Sequence, residues 1–261
     1  MNLCALRRMS TILDTICARK REEIAALKRT GLAGERADAP RAFRAALPGR
    51  RPAGLIAEVK KASPSRGVIR ADFDPAAIAV AYRSAGAHCL SVLTDAPFFQ
   101  GANQYLEAAR AASGLPVLRK DFILDPIQVD EAWRIGADAV LLIAAILERP
   151  LLADLHAQAR SLGLDVLIEA HDEGEIEAAL SVKPALLGIN NRNLNDFTVT
   201  LETTERLAPL VPRDVTLVSE SGIFTRGDID RVRRAGASAV LVGEALMREP
   251  DIAAATRKLL A

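Results

Sequence analysis

From residue 54 onward, the chain alternates between short apolar runs and longer segments with apolar residues at helical spacing. Apolar runs of this length, bounded by turn residues, are typical of buried strands, and the segments between them of amphipathic helices. The runs are "GLIAEVKK" (54–61), "CLSVLTD" (89–95), "PVLRKDF" (116–122), "AVLLIAAI" (139–146), "DVLIEAH" (165–171), "LLGINNRN" (186–193), "TLVSES" (216–221) and "AVLVGEAL" (239–246). These eight runs, each followed by a helical stretch, predict a parallel sheet covered by helices.

A closed (β/α)8 TIM barrel, an α/β fold, accommodates these strand–helix units best. An open doubly wound sheet is the less favoured alternative, because no G-x-G-x-x-G motif follows the first strand. A weak internal repeat, "AGAHCLSVL", "IGADAVLLI" and "AGASAVLVG", supports regular units. In each copy a glycine (Gly86, Gly136 or Gly236) stands where a helix ends, which suits a left-handed backbone conformation.

The sequence pattern predicts an N-terminal helical extension at residues 1–47 and the barrel, as one structural domain, at residues 48–261. Residues 10–27 have apolar positions at roughly helical spacing, and residues 41–47 predict a second helical piece. Because the first helix is amphipathic, its apolar face must cover something. We expect the extension to pack over the C-terminal mouth of the barrel as a lid. A brace at the opposite end is the alternative.

Charged residues interrupt the first predicted strand. In "IAEVKKASPSRG" (56–67), Glu58 and Lys60 share a face of the strand with Ile56. A buried acid and base cost free energy unless they are paired or used. Polar residues also stand at the ends of other predicted strands or just after the first: Ser63; Lys120 and Asp121; Glu169 and His171; Asn190, Asn191 and Arg192; Ser219, Glu220 and Ser221. The active sites of TIM barrels lie at these carboxyl ends, so the set predicts an active site.

Two glycines follow the last two predicted strands, Gly222 in "SESGI" (219–223) and Gly243 in "VGEAL" (242–246). A glycine at a strand end can expose backbone N–H groups to an anion, and the loops after strands 7 and 8 are the usual phosphate site of this fold. Either glycine alone would indicate only a tight turn. Together, on these two strands, they predict binding of a phosphorylated small molecule.

Composition narrows the possible partners and the compartment. The net charge is +1 and no basic patch with interleaved aromatic residues occurs, so we expect no nucleic acid partner. No apolar run reaches membrane-spanning length, and three widely spaced cysteines favour a reducing cytoplasm over a disulfide framework. The three histidines lack metal-ligand spacing, so no metal site is expected. His171 is interpreted as a solvated loop residue.

Several stretches resemble the indole-3-glycerol phosphate synthase family: "IAEVKKASPSRG", "SVLTDAPFFQG", "LRKDFILDPIQVDEA", "LIEAHDEGEIEAAL", "GINNRNLNDFTVTLETTERLAP", and "SESGI" with "GASAVLVGEALMR". The resemblance spans residues 10–250. It implies a carboxy-lyase of tryptophan biosynthesis acting on 1-(2-carboxyphenylamino)-1-deoxyribulose 5-phosphate. That reaction closes the pyrrole ring of indole with loss of CO2 and water, and uses no metal or organic cofactor. The resemblance also implies Met9 as an alternative start to Met1.

The resemblance assigns roles to the strand-end residues. Catalytic groups are implied at Lys120, Glu169, Lys60, Glu58, Asn190 and Ser221, and substrate or phosphate binding is expected at Ser63, Arg192, Glu220, Gly222, Gly243, Glu244 and Phe122. A lysine that is desolvated and near other cations has a lowered pKa and suits a general acid, which we expect of Lys120. Glu169 is the expected base. The expected aromatic-ring wall consists of Phe98, Phe99, Phe122 and Leu142.

Lys60 and Arg192 are expected to hold the substrate carboxylate, with Glu58 and Asn190 orienting the reacting groups. Another phosphate-binding barrel enzyme, such as phosphoribosylanthranilate isomerase or the α subunit of tryptophan synthase, would share the two glycines but not the Glu58–Lys60–Lys120 set. A non-catalytic barrel would bind a sugar phosphate without turnover. The chain is expected to be a monomer or a weak homo-oligomer.

Overall fold

The structure, a computed structural model, describes residues 11–47, 49–193 and 197–261. Its centre is a closed barrel of parallel strands: β1 Gly54–Val59, β2 Cys89–Leu93, β3 Val117–Lys120, β4 Ala139–Ile143, β5 Asp165–Ala170, β6 Leu186–Asn190, β7 Thr216–Glu220 and β8 Ala239–Val242. Strands that are consecutive in this series are neighbours in the barrel, and β1 closes it by pairing with both β8 and β2. The predicted (β/α)8 barrel is confirmed. Both candidate starts, Met1 and Met9, lie outside the described residues.

Helices alternate with the barrel strands. They are α1 Ile12–Thr30, α2 Pro75–Ser84, α3 Ala96–Phe99, α4 Asn103–Ser113, α5 Pro126–Arg134, α6 Arg149–Ser161, α7 Glu173–Leu180, α8 Glu202–Leu207, α9 Arg226–Ala235, α10 Glu244–Met247 and α11 Ile252–Leu260. A small hairpin pairs Ala62–Ser63 with Gly67–Val68 in the loop after β1. Across the described residues, no helix combines the length and apolar character needed to span a membrane.

The repeated glycines end helices as predicted. Gly86, Gly136 and Gly236 have φ values of 96°, 88° and 123°, a backbone region that strains any residue with a Cβ. At the other end of two helices, Asp74 and Asp125 each precede a proline, and their carboxylates accept hydrogen bonds from first-turn N–H groups. Each strand–helix unit is therefore delimited by local sequence signals.

Alternation along β1 separates two cores. Leu55, Ala57 and Val59 pack in the outer core between the barrel and its helices. Ile56 packs in the inner core of the barrel. Glu58 shares the face of Ile56 and is only 4% exposed, so its carboxylate lies inside the barrel above that core. The polar residues noted in the first strand thus continue the inward-facing row into the mouth.

The N-terminal segment reaches both ends of the barrel. At the carboxyl-terminal mouth, Ile12, Leu13 and Ile16 of α1 line the pocket formed by the strand ends. At the opposite end, Phe43 and Leu47 are fully buried in the inner core. The lid that we expected over the mouth is therefore formed by α1 alone, and the later part of the segment braces the amino-terminal end.

The prediction of a helical piece at residues 41–47 is wrong, except for a single 3-10 turn at Arg44–Ala46. Hydrogen bonds hold this stretch to strand starts: the Arg41 backbone N–H donates to Asp138 Oδ1 (2.8 Å), and that of Arg44 to Asp165 Oδ2 (2.8 Å). A helix of only seven residues would be marginally stable by itself. Burial of the Phe43 side chain stabilises the fold more. Residues 41–47 consequently share the core of the barrel.

Candidate active site

One pocket opens at the carboxyl ends of the strands. It is lined by all the residues predicted to be catalytic or to bind substrate or phosphate: Glu58, Lys60, Ser63, Lys120, Phe122, Glu169, Asn190, Arg192, Glu220, Ser221, Gly222, Gly243 and Glu244. These residues are distant in the chain. Parallel strands in a barrel place all their carboxyl ends at one face, which brings the side chains together. Within the described residues, no group of three or more histidine, cysteine or acidic side chains could hold a metal ion.

Lys120 lies between two carboxylates. Its Nζ is 2.9 Å from Glu220 Oε2 and 3.2 Å from Glu169 Oε2. Burial alone lowers the pKa of Lys120, but the carboxylates of Glu220, Glu169 and Glu58 raise it well above its usual value. The expected lowering of this pKa is therefore wrong, because the neighbours of the lysine are anions. Lys120 is held as an ammonium ion, and that form can donate a proton.

Glu58 and Lys60 form an ion pair, with Oε2 and Nζ 2.5 Å apart. The backbone carbonyl of Glu58 accepts a hydrogen bond from the buried Tyr82 hydroxyl, at 3.0 Å. Gly243 makes room for this carboxylate, because a Cβ there would lie 2.0 Å from Glu58 Oε2. The glycine after β8 is therefore required by the packing of Glu58, whatever it contributes to binding an anion.

Glu169 is buried at the end of β5 and has partners on both oxygens. Asn190 Nδ2 donates to Oε1 at 3.2 Å, and His171 Nε2 lies 3.3 Å from the same oxygen. Burial raises the pKa of Glu169, but Lys120, His171 and Asn190 together hold it well below its usual range. The carboxylate is thus ionised at neutral pH, as a base must be before it accepts a proton.

Glu220 was expected to bind substrate or phosphate. Its carboxylate lies against Lys120 inside the barrel. Burial, with the negative charges of Glu169 and Glu58, raises the pKa of Glu220 to about 7, although Lys120 opposes the shift. Gly188 of β6 provides the space, since a Cβ there would lie 2.2 Å from Glu220 Oε1. Glu220 can therefore exchange a proton with its surroundings near neutral pH.

The loop after β7 begins with two residues in the left-handed region, Ser221 (φ 64°) and Gly222 (φ 77°). Such a conformation is uncommon for serine and needs support from its surroundings. Asn191 supplies it: the side-chain amide donates to the carbonyls of Glu220 (2.9 Å) and Ser221 (3.0 Å). The loop is thereby fixed with Ser221 and Gly222 on the pocket wall.

Arginines gather beside the loop after β8. Glu244 Oε1 lies 3.4 Å from Arg66 and 2.9 Å from Arg248, and its Oε2 lies 3.8 Å from Arg192. The side chain of Glu244 is an anion already engaged by these cations. The positive charges of these three arginines suit a phosphate or a carboxylate.

The apolar wall differs in part from the prediction. Phe99 and Phe122 line the pocket, with ring centroids 6.1 Å apart. Phe98 and Leu142 do not line it; Leu142 packs in the outer core, whereas Leu141 and Ile143 face the pocket. The alternation of side chains along β4 explains this difference, because neighbouring residues of a strand point to opposite faces. Further apolar lining comes from α1 and from other strand ends and loops, among them Leu93, Ile223 and Leu241.

A buried cation attaches α1 to the barrel. Lys20 is 4% exposed, and its Nζ lies 2.9 Å from Asp95 Oδ2 and 2.8 Å from Asp121 Oδ1. Burial lowers the pKa of Lys20, but Asp121 and Asp95 raise it above its usual value. Asp95 and Asp121 follow β2 and β3, so this contact fixes the helix directly above the strand ends.

Sequence reasoning missed several functional candidates. His171 was interpreted as solvated, yet both of its ring nitrogens face carboxylates. Arg66 and Phe197 also belong to the site region, Phe197 as part of the pocket lining. The spacing of His171 from Glu169, two residues along one strand end, was the available signal. Nothing comparable distinguishes Arg66 or Phe197, because their positions depend on how long loops fold back.

Comparison with known proteins agrees with this geometry. The model of the indole-3-glycerol phosphate synthase family matches residues 13–259. The chain belongs to the indole-3-glycerol phosphate synthase family. A relative from Burkholderia vietnamiensis (strain G4 / LMG 22486), named indole-3-glycerol phosphate synthase, is 53% identical over 96% of this chain and 99% of its own length. One of the same name from Azoarcus sp. (strain BH72) is 54% identical, with the same coverage.

Solved structures resemble the fold at low sequence identity. The N-acetylmannosamine-6-phosphate 2-epimerase from Clostridium perfringens superposes with a TM-score of 0.62 at 15% identity, covering 82% of this chain and 95% of its own. The 3-hexulose-6-phosphate synthase from Salmonella typhimurium gives a TM-score of 0.62 at 14% identity, covering 79% and 96%. At this identity the likeness shows the barrel and nothing about the reaction.

Proposed function

We propose that this chain converts 1-(2-carboxyphenylamino)-1-deoxyribulose 5-phosphate to indole-3-glycerol phosphate, with Lys120 as the proton donor and Glu169 as the proton acceptor. The activity follows from membership of the family. The observation that supports the assignment of roles is the placement of Lys120 Nζ at 2.9 and 3.2 Å from two buried carboxylates, in a pocket that also has aromatic walls. An ammonium and an ionised carboxylate in contact provide an acid and a base for one substrate.

The first half of the reaction forms a carbon–carbon bond. The aromatic carbon that carries the carboxylate attacks the ketone carbon, and the ketone oxygen takes a proton from Lys120. Loss of CO2 from the same aromatic carbon then restores the aromatic ring. The product of these steps is a hydroxyindoline. The alkoxide is a stronger base than an amine, so a lysine with a raised pKa still donates to it. Glu220, 2.9 Å away and with a pKa of about 7, is placed to return a proton to Lys120.

The second half removes water. The hydroxyl group at the former ketone carbon leaves as water with a proton from Lys120, which Glu220 has re-protonated, and the neighbouring methylene carbon loses a proton to Glu169. The electron pair of that C–H bond becomes the double bond of the indole. Asn190 Nδ2, 3.2 Å from Glu169 Oε1, holds the carboxylate for this step. Glu58 and Ser221 line the same pocket. They are proposed to orient the reacting groups and to stabilise the charges that develop on the substrate.

Three parts of the substrate need different surroundings. The phosphate is proposed to bind the backbone N–H groups of Gly222 and Gly243, with Ser63 and Arg192 beside them. Glu244 would contribute only its backbone N–H, because its carboxylate repels a phosphate. The substrate carboxylate would face Lys60 until CO2 leaves. The aromatic ring would lie against Phe122 and Phe99, under α1, where water is excluded.

The remaining expectations concern the environment of the enzyme. We propose that the chain works in the cytoplasm without a metal or organic cofactor, as a monomer or a weak homo-oligomer. Its ligand is a phosphorylated small molecule, which agrees with a pocket lined by charged and aromatic residues.

Indole fluorescence tests the activity. The purified chain should produce a fluorescent indole product from 1-(2-carboxyphenylamino)-1-deoxyribulose 5-phosphate. It should not convert N-(5-phosphoribosyl)anthranilate, the substrate of the isomerase alternative. A matched control is available: Lys258→Ala changes an exposed lysine of α11 and should leave the rate unchanged. Binding of the first substrate without product would refute the proposed activity and favour a non-catalytic barrel.

A further inference from the structure

His171 stands directly after β5, between two carboxylates. Its Nε2 lies 3.3 Å from Glu169 Oε1, and its Nδ1 lies 2.9 Å from Glu175 Oε2 in the first turn of α7. The Nδ1 contact has hydrogen-bond geometry, whereas the Nε2 contact is an ion pair with poorer alignment, and Nε2 has no other polar partner among the described residues. The imidazole ring therefore bridges the proposed base to a helix outside the barrel.

This arrangement requires a doubly protonated ring. A carboxylate oxygen is only an acceptor, so each ring nitrogen must carry a proton to face one favourably. A neutral imidazole would point a lone pair at one of the two anions. Burial lowers the pKa of His171, but its bonds with Glu169 and Glu175 raise the pKa to about 10. Geometry and charge thus agree on an imidazolium ion at neutral pH.

Glu175 is itself held in place. One of its oxygens, Oε2, accepts from the backbone N–H of His171 at 2.8 Å as well as facing the ring. The backbone N–H of Glu175 donates to Asp172 Oδ1, the N-cap of α7, at 2.9 Å. The side chain of His171 is 11% exposed, and His171 is not among the residues that line the substrate pocket. Any influence on the reaction must therefore pass through Glu169.

We propose that His171, anchored by Glu175, is a positioning residue: a buried cation that keeps Glu169 ionised and holds its Oε1, so that Oε2 is directed at the substrate. This role rests on the proposed function, in which Glu169 removes the proton during loss of water. The imidazolium holds Oε1 together with Asn190, which leaves Oε2 facing Lys120 and the pocket. A charged holder resists rotation of the carboxylate more strongly than a neutral amide does.

Few charged groups face this pair. Among the described residues, His171 faces Glu169 from its own strand and Glu175 from α7. Glu169 also faces Lys120 from β3 and senses the charge of Glu220 from β7. The neighbouring β4 contributes the apolar Ile143 at the same level, and β6 contributes the neutral Asn190. A change in the charge of His171 should therefore be felt chiefly by Glu169.

The protonation state can be observed directly. The chain has three histidines, and burial lowers the pKa values of both His88 and His156, assisted by Arg50 and Arg160 respectively. Nitrogen-15 NMR of the histidine-labelled protein at pH 8 should thus show a single imidazolium, missing in His171→Asn. A neutral ring at position 171 at this pH would overturn the proposal.

Kinetics test the role. In His171→Asn we expect kcat to fall about tenfold or more, a part of the 10²–10⁴-fold that a base typically supplies, with KM within about threefold. In Glu175→Gln the ring of His171 loses one of its two anions, so the pKa of His171 falls by about 1–3. The alkaline limb of the plot of kcat against pH should move to lower pH by the same amount. Glu177→Gln is the control: Glu177 lies on the same helix, its ion pair among the described residues is with the exposed Arg149, and neither property should change.

The outcomes separate the two proposals. If the wild-type chain gives no indole product, the proposed function fails. If it turns over normally but His171→Asn retains its kcat, or Glu175→Gln shifts the NMR titration without moving the kcat profile, the positioning role is overturned. Should His171→Asn fail to fold by thermal melting, Glu175→Gln with its NMR titration decides alone.

Discussion

Replacement of Lys20 by methionine probes how α1 is fixed over the site. Methionine keeps the unbranched stem but removes the charge. Lys20 Nζ makes ion-pair contacts with Asp95 (2.9 Å), Asp121 (2.8 Å) and Glu23 (2.8 Å). Asp95 and Asp121 are 0% and 3% exposed. The substitution leaves Asp95 without its cation and Asp121 with Arg119 alone, at 3.5 Å. Each carboxylate keeps one of its other hydrogen bonds: Asp95 Oδ1 accepts from the Phe98 N–H, and Asp121 Oδ2 accepts from the Thr94 hydroxyl.

Removal of one partner from a buried ion pair costs about 3–5 kcal/mol. Much of that cost disappears if α1 lifts away, because water then reaches Asp95 and Asp121. The variant should therefore spend far more time with α1 undocked. Since about 1.4 kcal/mol corresponds to a factor of ten in an equilibrium, even part of the cost raises KM by roughly tenfold or more. Ile12, Leu13 and Ile16 leave the pocket with the helix.

Steady-state kinetics and limited proteolysis measure the effect, with Lys28→Met as the matched control. Lys28 lies on the same helix and pairs with Asp125 at 2.5 Å, but its side chain is 53% exposed. An exposed pair is worth about 0–1 kcal/mol, so the control should bind substrate almost normally. A Lys20→Met variant with an unchanged KM and an uncut α1 would refute the reasoning.

Other substitutions test other parts of the account. Lys120→Ala should nearly abolish turnover while substrate affinity stays within about tenfold, because general acid catalysis is worth about 10²–10⁴-fold; a variant with most of its kcat removes Lys120 from that role. Gly243→Ala should cost about 100-fold in kcat, because its Cβ would lie 2.0 Å from Glu58 Oε2 and displace that carboxylate. Phe43→Ala should lower the free energy of unfolding by about 3–5 kcal/mol with kcat and KM little changed, as calorimetry and kinetics would show.

The last of these reverses an expectation from the sequence. With the strand–helix units complete beyond residue 54, residues 1–47 were expected to cover the mouth of the barrel as a lid. Phe43 and Leu47 are instead fully buried in the inner core, at the end of the barrel remote from the pocket. Hydrophobic pattern shows that a residue is buried but not which end of a barrel it fills. That choice depends on the path of residues 31–40, which have no repeating pattern.

The fold itself was predictable because its signals are local. Strand runs, capping aspartates such as Asp74, and glycines such as Gly136 each specify the structure of a few neighbouring residues. The gathering of the polar strand-end residues in one pocket could also be predicted, since parallel strands carry any polar end residue to the same face. The charges that surround each site residue could not be predicted from the sequence. Whether cations or anions surround Lys120 depends on distances between side chains of different strands, which the sequence does not contain.

The division of labour between Lys120 and Glu169 is tested most directly by a single-turnover experiment with substrate carrying carbon-13 in its carboxylate. In Glu169→Gln, ring closure and decarboxylation should proceed, so labelled CO2 appears while a hydroxyindoline accumulates and indole fluorescence lags far behind. The glutamine keeps the shape of the side chain but removes its basicity and its negative charge. If labelled CO2 and fluorescence are lost together, or if both appear at the wild-type rate, Glu169 is not the base for loss of water and the account is contradicted.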